Sequence, residues 1–257
     1  MNRLEKLFQH KKEKVLSVYF SAGHPNLNDT ATIIESLDKA GADVVEVGIP
    51  FSDPVADGPV IQQSSLKALK NGMTLKLLFE QLSAIRERTE IPIVLMGYLN
   101  PVLQYGIENF CKKCKEIGID GTILPDLPPD LYLEQYKTVF EENNMSNILL
   151  VPPQTSDERI KELDALSTGF LYIVAASSTT GAKQGFEPYQ IEYFNRLKAL
   201  NLQSPKLVGF GISNNESFEE ACSCANGAII GSAFIKALEG EGKLEDKITA
   251  FIDKIRK

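Results

Sequence analysis

The sequence is poor in the residues that most often move protons or hold metal. Its 257 residues include two histidines, His10 and His24, both near the N-terminus, and four cysteines in two distant pairs, Cys111/Cys114 and Cys222/Cys224. Structural zinc takes four ligands in a tetrahedron, and neither pair has neighbours that complete one. Free thiols in a reducing cytoplasm are the expected state. With so little histidine, acid–base chemistry falls to carboxylates or a tyrosine. Long apolar runs are missing too. No stretch is long enough to cross a bilayer, and no charged-then-apolar export signal opens the chain. A basic stripe is also absent. The net charge is −7, which argues against nucleic acid as a partner. Any anion must be bound locally, by backbone N–H groups.

What is present is a regular alternation. Eight apolar, β-rich runs recur: "LSVYFSA" (16–22), "DVVEVGI" (43–49), "PIVLMGY" (92–98), "DGTILPD" (120–126), "NILLVPP" (147–153), "FLYIVAA" (170–176), "KLVGFGI" (206–212) and "GAIIGSA" (227–233). Several are nearly continuous hydrophobics, as expected for parallel strands covered on both faces. Amphipathic helical patterns separate them. "DTATIIESLDKAG", "GIENFCKKCKEIG" and "SDERIKELDALSTG" each end on a glycine suited to a helix C-terminus. Ser156 can cap the third of these, but Arg159 stands where a capping box needs Glu or Gln. "MNRLEKLFQHKKEK" reads as an extra N-terminal helix lying over one end of the fold. No linker interrupts the series, and 257 residues suit one domain, residues 1–257. The expectation is an α/β protein, a single (β/α)8 TIM barrel. An open doubly wound sheet is the alternative, but no glycine-rich dinucleotide turn follows the first strand.

Active sites of such barrels lie at the C-terminal ends of the strands. "VVEVGIPFSDPVADGP" (44–59) therefore carries the most informative acids. Strand alternation puts Val44, Glu46 and Gly48 on one face. An ionised Glu46 facing the helices would be costly. Facing inward near the mouth it would meet substrate, with a pKa raised toward neutrality by partial desolvation. A structural carboxylate paired with an inward Lys or Arg is the other possibility, but no strand run carries one at its centre. Asp53 and Asp57 follow in the loop. Asp-Pro and Asp-Gly-Pro are ordinary turn formers, although this loop sits at the catalytic end. Most strand aromatics fill core; spacing alone leaves open whether Tyr172 points inward toward Glu46.

A second constellation is rich in glycine. "STTGAKQG" (Ser178–Gly185) follows strand 6, "GFGIS" (Gly209–Ser213) closes strand 7, and "GSA" (Gly231–Ala233) closes strand 8. Loops after strands 7 and 8 with a helix N-terminus form the recurrent phosphate site of these barrels. Glycine lets the backbone approach, and N–H groups supply the attraction. The reading so far is a barrel that binds a phosphate monoester at strands 6–8 and applies carboxylate acid–base chemistry from strand 2, with no metal and no bound cofactor.

"VEVGIPFSDPVADGPVIQ" strongly resembles the signature of the tryptophan synthase α chain family. The resemblance runs over nearly the whole chain, through "YFSAGHP", "LMGYLNPVLQYG", "LPDLPPD", "GFGIS" and "IIGSAFI". It implies retro-aldol cleavage of indole-3-glycerol phosphate to indole and glyceraldehyde 3-phosphate. It implies Glu46 as catalytic acid/base, Asp57 as stabiliser of positive charge at the indole N–H, and Tyr172 at the side-chain hydroxyl. Backbone N–H groups of Gly181, Phe210, Gly211, Gly231 and Ser232 would hold the phosphate. Phe20, Ile61 and Thr180 would line the indole pocket. The family works as the α half of an α2β2 complex, in which indole passes to a β chain carrying pyridoxal phosphate. The loop around Pro54 and the strand-6 loop would then close over substrate and signal between subunits. Two departures stand out: His24 in "GHP", where an acid is frequent, and Ser178-Thr179, where Gly-Val is more common. A stand-alone lyase, a sugar-phosphate isomerase and a catalytically dead allosteric barrel partner remain as alternatives at this stage.

Overall fold

A computed structural model describes residues 1–175, 186–209 and 211–257 of the chain. Eight parallel strands close into a barrel in chain order: β1 (Val15–Ser21), β2 (Val44–Gly48), β3 (Ile93–Met96), β4 (Gly121–Ile123), β5 (Ser146–Val151), β6 (Leu171–Val174), β7 (Lys206–Gly209) and β8 (Gly227–Ile230). Each falls inside, or within a residue of, the run expected from hydrophobicity. β8 closes on β1 with Val15 opposite Gly227. A side chain there is impossible, because a Cβ on Gly227 would stand 2.0 Å from the Val15 carbonyl oxygen.

Alternation sorts the strand residues into two apolar clusters. Val44, Val94, Ile123, Ile148, Tyr172, Leu207 and Ile229 fill the barrel itself. Val18, Phe20, Val45, Val47, Leu95 and Val208 pack outward against the helices. Both faces are dry, which accounts for the near-continuous hydrophobic runs.

The N-terminal helix, Arg3–His10, plugs the end of the barrel where the strands begin. Its Asn2 cap and Glu5 form a capping box, and Leu4 and Phe8 join the inner cluster. Phe8 meets Phe170, just ahead of β6, with ring centroids 6.0 Å apart. Two acids at strand starts tie this end together. Asp120 accepts from the backbone N–H groups of Arg3 and Ile93 and from Arg86 at 2.9 Å. Asp43 accepts from Leu16 N–H, Lys11 and Arg256.

Two of the three expected glycine-ended helices stop as their sequences indicate. Thr30–Ala40 ends on Gly41 at φ +94° and Ile107–Ile117 on Gly118 at φ +79°. The third differs. Asp157–Leu166 is capped by Ser156 as expected but ends on an extended Ser167. The Ser167 hydroxyl donates to the Phe170 carbonyl at 2.8 Å, which draws the chain straight into β6. Gly169, at φ +88°, serves a different purpose: a Cβ there would lie 2.7 Å from Leu4 Cδ2.

Since Leu4 is fully buried in the plug, Leu4→Ala should cost about 2–5 kcal/mol, as large-to-small changes in cores do. Urea unfolding should show a lower midpoint, while ligand binding at the opposite end of the barrel is left unchanged.

Candidate active site

β2 delivers Glu46 to the inside of the barrel. Its side chain shares the inward face with Val44 and is completely buried, while Val45 and Val47 pack against the helices. Ser17, on the inner face of β1, donates its hydroxyl to Glu46 Oε1 at 2.7 Å. Oε2 is buried with no hydrogen-bond partner among the described residues. Burial pushes the Glu46 carboxyl up to about 7, and the Ser17 bond opposes that rise. The contrast with Asp120 is informative. Burial raises that carboxyl too, but the Arg86 guanidinium pulls it back. Asp120 is a paired structural acid, whereas Glu46 has a neutral partner.

Two tyrosines lean over the mouth beside Glu46. Tyr19 is the register partner of Glu46, and its hydroxyl lies against Gly48, where a Cβ would come within 2.2 Å of Tyr19 Oη. Tyr172 points inward and is 5 % exposed. Its hydroxyl lies against Gly209, where a Cβ would come within 2.3 Å. Each ring thus crosses the end of the next strand, and only glycine leaves it room. Burial raises both phenols well above their usual range, and the nearby charges of Asp57 and Glu46 add to this. Both therefore stay protonated and can only donate or accept a hydrogen bond.

Asp57 reaches the same region from the loop after β2. It is half-buried, and its Oδ2 accepts from the Tyr98 hydroxyl at 2.9 Å. The Tyr98 oxygen in turn accepts from the Ala56 N–H at 3.0 Å. Phe51 lies against the Tyr98 ring at 5.3 Å, and the Gln62 amide donates to the Asp57 carbonyl. Burial raises the Asp57 carboxyl and the Tyr98 bond lowers it. Tyr19, Phe51, Asp57 and Tyr98 line one cleft, with Ile49 and Pro125. Asp53, by contrast, is exposed and accepts from its neighbour Ser52 at 2.5 Å.

Ile61, on the helix Pro59–Lys70, stands at the mouth. Its Cδ1 would be 3.6 Å from a Cβ on Gly231, and Tyr19 3.3 Å from the same point. Gly231 precedes the short helix Ser232–Leu238, whose first N–H groups have no partner within the helix. Gly211 sits at φ +85° with open space around it, a backbone that favours glycine. Thr180, Gly181 and Phe210 lie outside the described residues, as do Ser178 and Thr179.

Phe20 does not belong to this site. It is fully buried in the cluster between barrel and helices, because alternation turns it away from the neighbouring Tyr19. The inward aromatic of β1 is Tyr19. Sequence reasoning also missed Ser17 and the tie between Tyr98 and Asp57. A signal for the first two was available: Ser17, Tyr19 and Ser21 alternate with Val18 and Phe20, so the polar face of β1 is the inward one. His24 is fully buried, with no hydrogen bond to either ring nitrogen among the described residues and Glu239 3.8 Å away. Burial lowers its pKa, and Lys67 adds to this. Among the described residues no cluster of His, Cys, Asp or Glu is placed to hold a metal ion. Cys111 and Cys114 are buried free thiols, and Cys222 and Cys224 are half-buried ones.

A parallel (β/α)8 barrel with a carboxyl buried inside it and a cleft at the C-terminal ends of its strands has the layout of a barrel enzyme. Comparison with known proteins makes this particular. The family model described as tryptophan synthase alpha chain matches residues 5–256. The tryptophan synthase alpha chain of Flavobacterium johnsoniae is 56% identical over 256 residues, covering 100% of both chains. The crystal structure of the tryptophan synthase alpha chain from Legionella pneumophila superposes with a TM-score of 0.88 at 34% identity, over 100% of this chain and 96% of that one. A tryptophan synthase complex from Pyrococcus furiosus contains a similar chain, with a TM-score of 0.85 at 32% identity, over 96% and 99%. The chain belongs to the tryptophan synthase alpha chain family.

The raised Glu46 pKa has a consequence for stability. A glutamate ionises near 4.5 when unperturbed and near 7 here, so the folded protein holds its proton longer than the unfolded chain. Stability attributed to this group is therefore intact below 4.5 and falls as pH rises through about 7. The full effect is roughly 3 kcal/mol, at 1.36 kcal/mol per pKa unit. Glu46→Gln removes the buried charge. Urea unfolding should find the variant more stable than wild type at pH 8, with the gap closing toward pH 4.5.

Proposed function

We propose that this chain is the α subunit of tryptophan synthase, a carbon–carbon lyase that splits indole-3-glycerol phosphate into indole and glyceraldehyde 3-phosphate. The observation that carries the reading is Glu46: a carboxyl buried inside the barrel, near neutrality, with one oxygen unpaired among the described residues. A retro-aldol cleavage needs a proton delivered to indole C3 and a proton removed from the adjacent side-chain hydroxyl. Glu46 gives its proton to C3, which makes the ring an electron sink. The resulting carboxylate takes the hydroxyl proton as the C–C bond breaks, the hydroxyl carbon becomes the aldehyde, and indole leaves. Glu46 ends protonated, as it began. A pKa near the working pH suits a group that must be both acid and base.

Protonation at C3 places positive charge on the indole N–H. Asp57, oriented by Tyr98, stabilises it electrostatically. Tyr172, protonated and inward, assists at the side-chain hydroxyl. The phosphate is held by N–H groups of Gly181, Phe210, Gly211, Gly231 and Ser232. Tyr19 takes the place in the indole pocket that Phe20 was expected to fill, beside Ile61 and Thr180. The whole of residues 1–257 acts as one barrel domain and needs no cofactor of its own.

Indole would pass to a β chain carrying pyridoxal phosphate, in an α2β2 assembly in the cytoplasm. Val55, 82 % exposed on the loop that carries Asp57, and Pro54 beside it fit a loop that meets that partner. Among the described residues no helix is long and apolar enough to cross a membrane.

Purified protein incubated with indole-3-glycerol phosphate should release indole slowly alone and faster with a cognate β chain. No indole under either condition would overturn the reading, and full activity without a β chain would point to a stand-alone lyase. Glu46→Gln should lower turnover by about 10²–10⁴-fold, the usual worth of a general acid–base group. Asp57→Asn should cost about 10²–10³-fold. Circular dichroism should show both variants folded.

A further inference from the structure

Ser17 is the hydrogen-bond partner of Glu46, and its chemistry is specific. The hydroxyl is fully buried and sits 2.7 Å from Glu46 Oε1, while Oε2 has no partner among the described residues. The acids at the strand starts are held by cations: the buried Asp120 by Arg86, and the half-buried Asp43 by Lys11 and Arg256. A cation beside Glu46 would lock it as carboxylate, because an opposite charge favours the ionised form. A serine does not. Its hydroxyl carries one donor and can hold Oε1 whether Oε2 bears a proton or not. The side-chain angle is then set while the charge changes.

We propose that Ser17 is a positioning residue for proton transfer by Glu46: it fixes the carboxyl through Oε1, so that Oε2 alone exchanges protons with substrate. The proposal rests on the lyase reading above for its kinetic arm. Ser17 itself touches no substrate in this scheme, since its hydroxyl is committed to Glu46 inside the barrel. Its hydrogen bond also favours the ionised carboxyl, which makes Glu46 the stronger acid toward indole C3.

The test pairs Ser17→Ala, nearly equal in volume, with Ser17→Cys, which keeps the length but donates weakly, and Ser17→Thr, which restores the hydroxyl. With indole-3-glycerol phosphate and the β chain present, kcat should fall about tenfold in the Ala and Cys variants, the loss expected for one hydrogen bond to a charged group. KM should hold, and the limb of the kcat–pH profile set by Glu46 should move to higher pH. Thr should return both toward wild type. A second arm needs no substrate: infrared titration of the Glu46 carboxyl, assigned by its loss in Glu46→Gln, should move upward in Ser17→Ala and return in Ser17→Thr. Unchanged kcat and pH profile overturn the proposal, as does a fall in KM-linked binding with no shift in the titration. If the wild type releases no indole, the lyase reading fails, while the infrared arm still decides whether Ser17 sets the Glu46 proton.

Discussion

Burying Glu46 inside the barrel carries a free-energy cost, and the surroundings of the mouth are arranged around it. Burial raises the carboxyl to about 7, where the cost of charge is held down by partial protonation. A single neutral donor, Ser17, limits the rise without abolishing it. Gly48 and Gly209 clear space for Tyr19 and Tyr172 to lie across the strand ends beside it. Had any strand supplied an inward cation at this level, Glu46 would have become one more structural acid like Asp120.

The two ends of the barrel thus use the same residue type for opposite purposes. At the N-terminal end, Asp43 and Asp120 are saturated by backbone donors, lysine and arginine, and the helix carrying Leu4 and Phe8 seals the interior. At the other end, acids are held by hydroxyls, Glu46 by Ser17 and Asp57 by Tyr98. Hydroxyls orient a carboxylate while leaving it able to change protonation state or meet an incoming charge. The closed end supplies rigidity, and the open end keeps polar capacity unspent.

Several features were legible in the linear order of residues. The eight strands followed from runs of apolar residues, since parallel strands are dry on both faces. Alternation put Glu46 on one face with Val44 and Gly48, and the cost of a charge against the helices turned that face inward; the cap at Ser156 followed from residue type. The misreadings had local causes. The family resemblance put Phe20 in the pocket, although its neighbours Ser17, Tyr19 and Ser21 mark the opposite face as inward. Gly169 was taken for a helix end, although its missing Cβ is what leaves room for Leu4.

The sequence by itself determined the element order, the barrel class, the family and the direction of Glu46, because each depends on periodicities and motifs confined to a few adjacent residues. Only the tertiary structure decided which groups Glu46 and Asp57 would meet. Ser17 and Glu46 are 29 residues apart, and Asp57 and Tyr98 are 41 apart. Those pairings arise from strand register and from how far a loop folds back over the mouth. No local pattern encodes them, since the same alternation is compatible with several registers until the barrel closes. These acids look alike in the chain; their partners across the barrel separate a proton-transfer group from a strut.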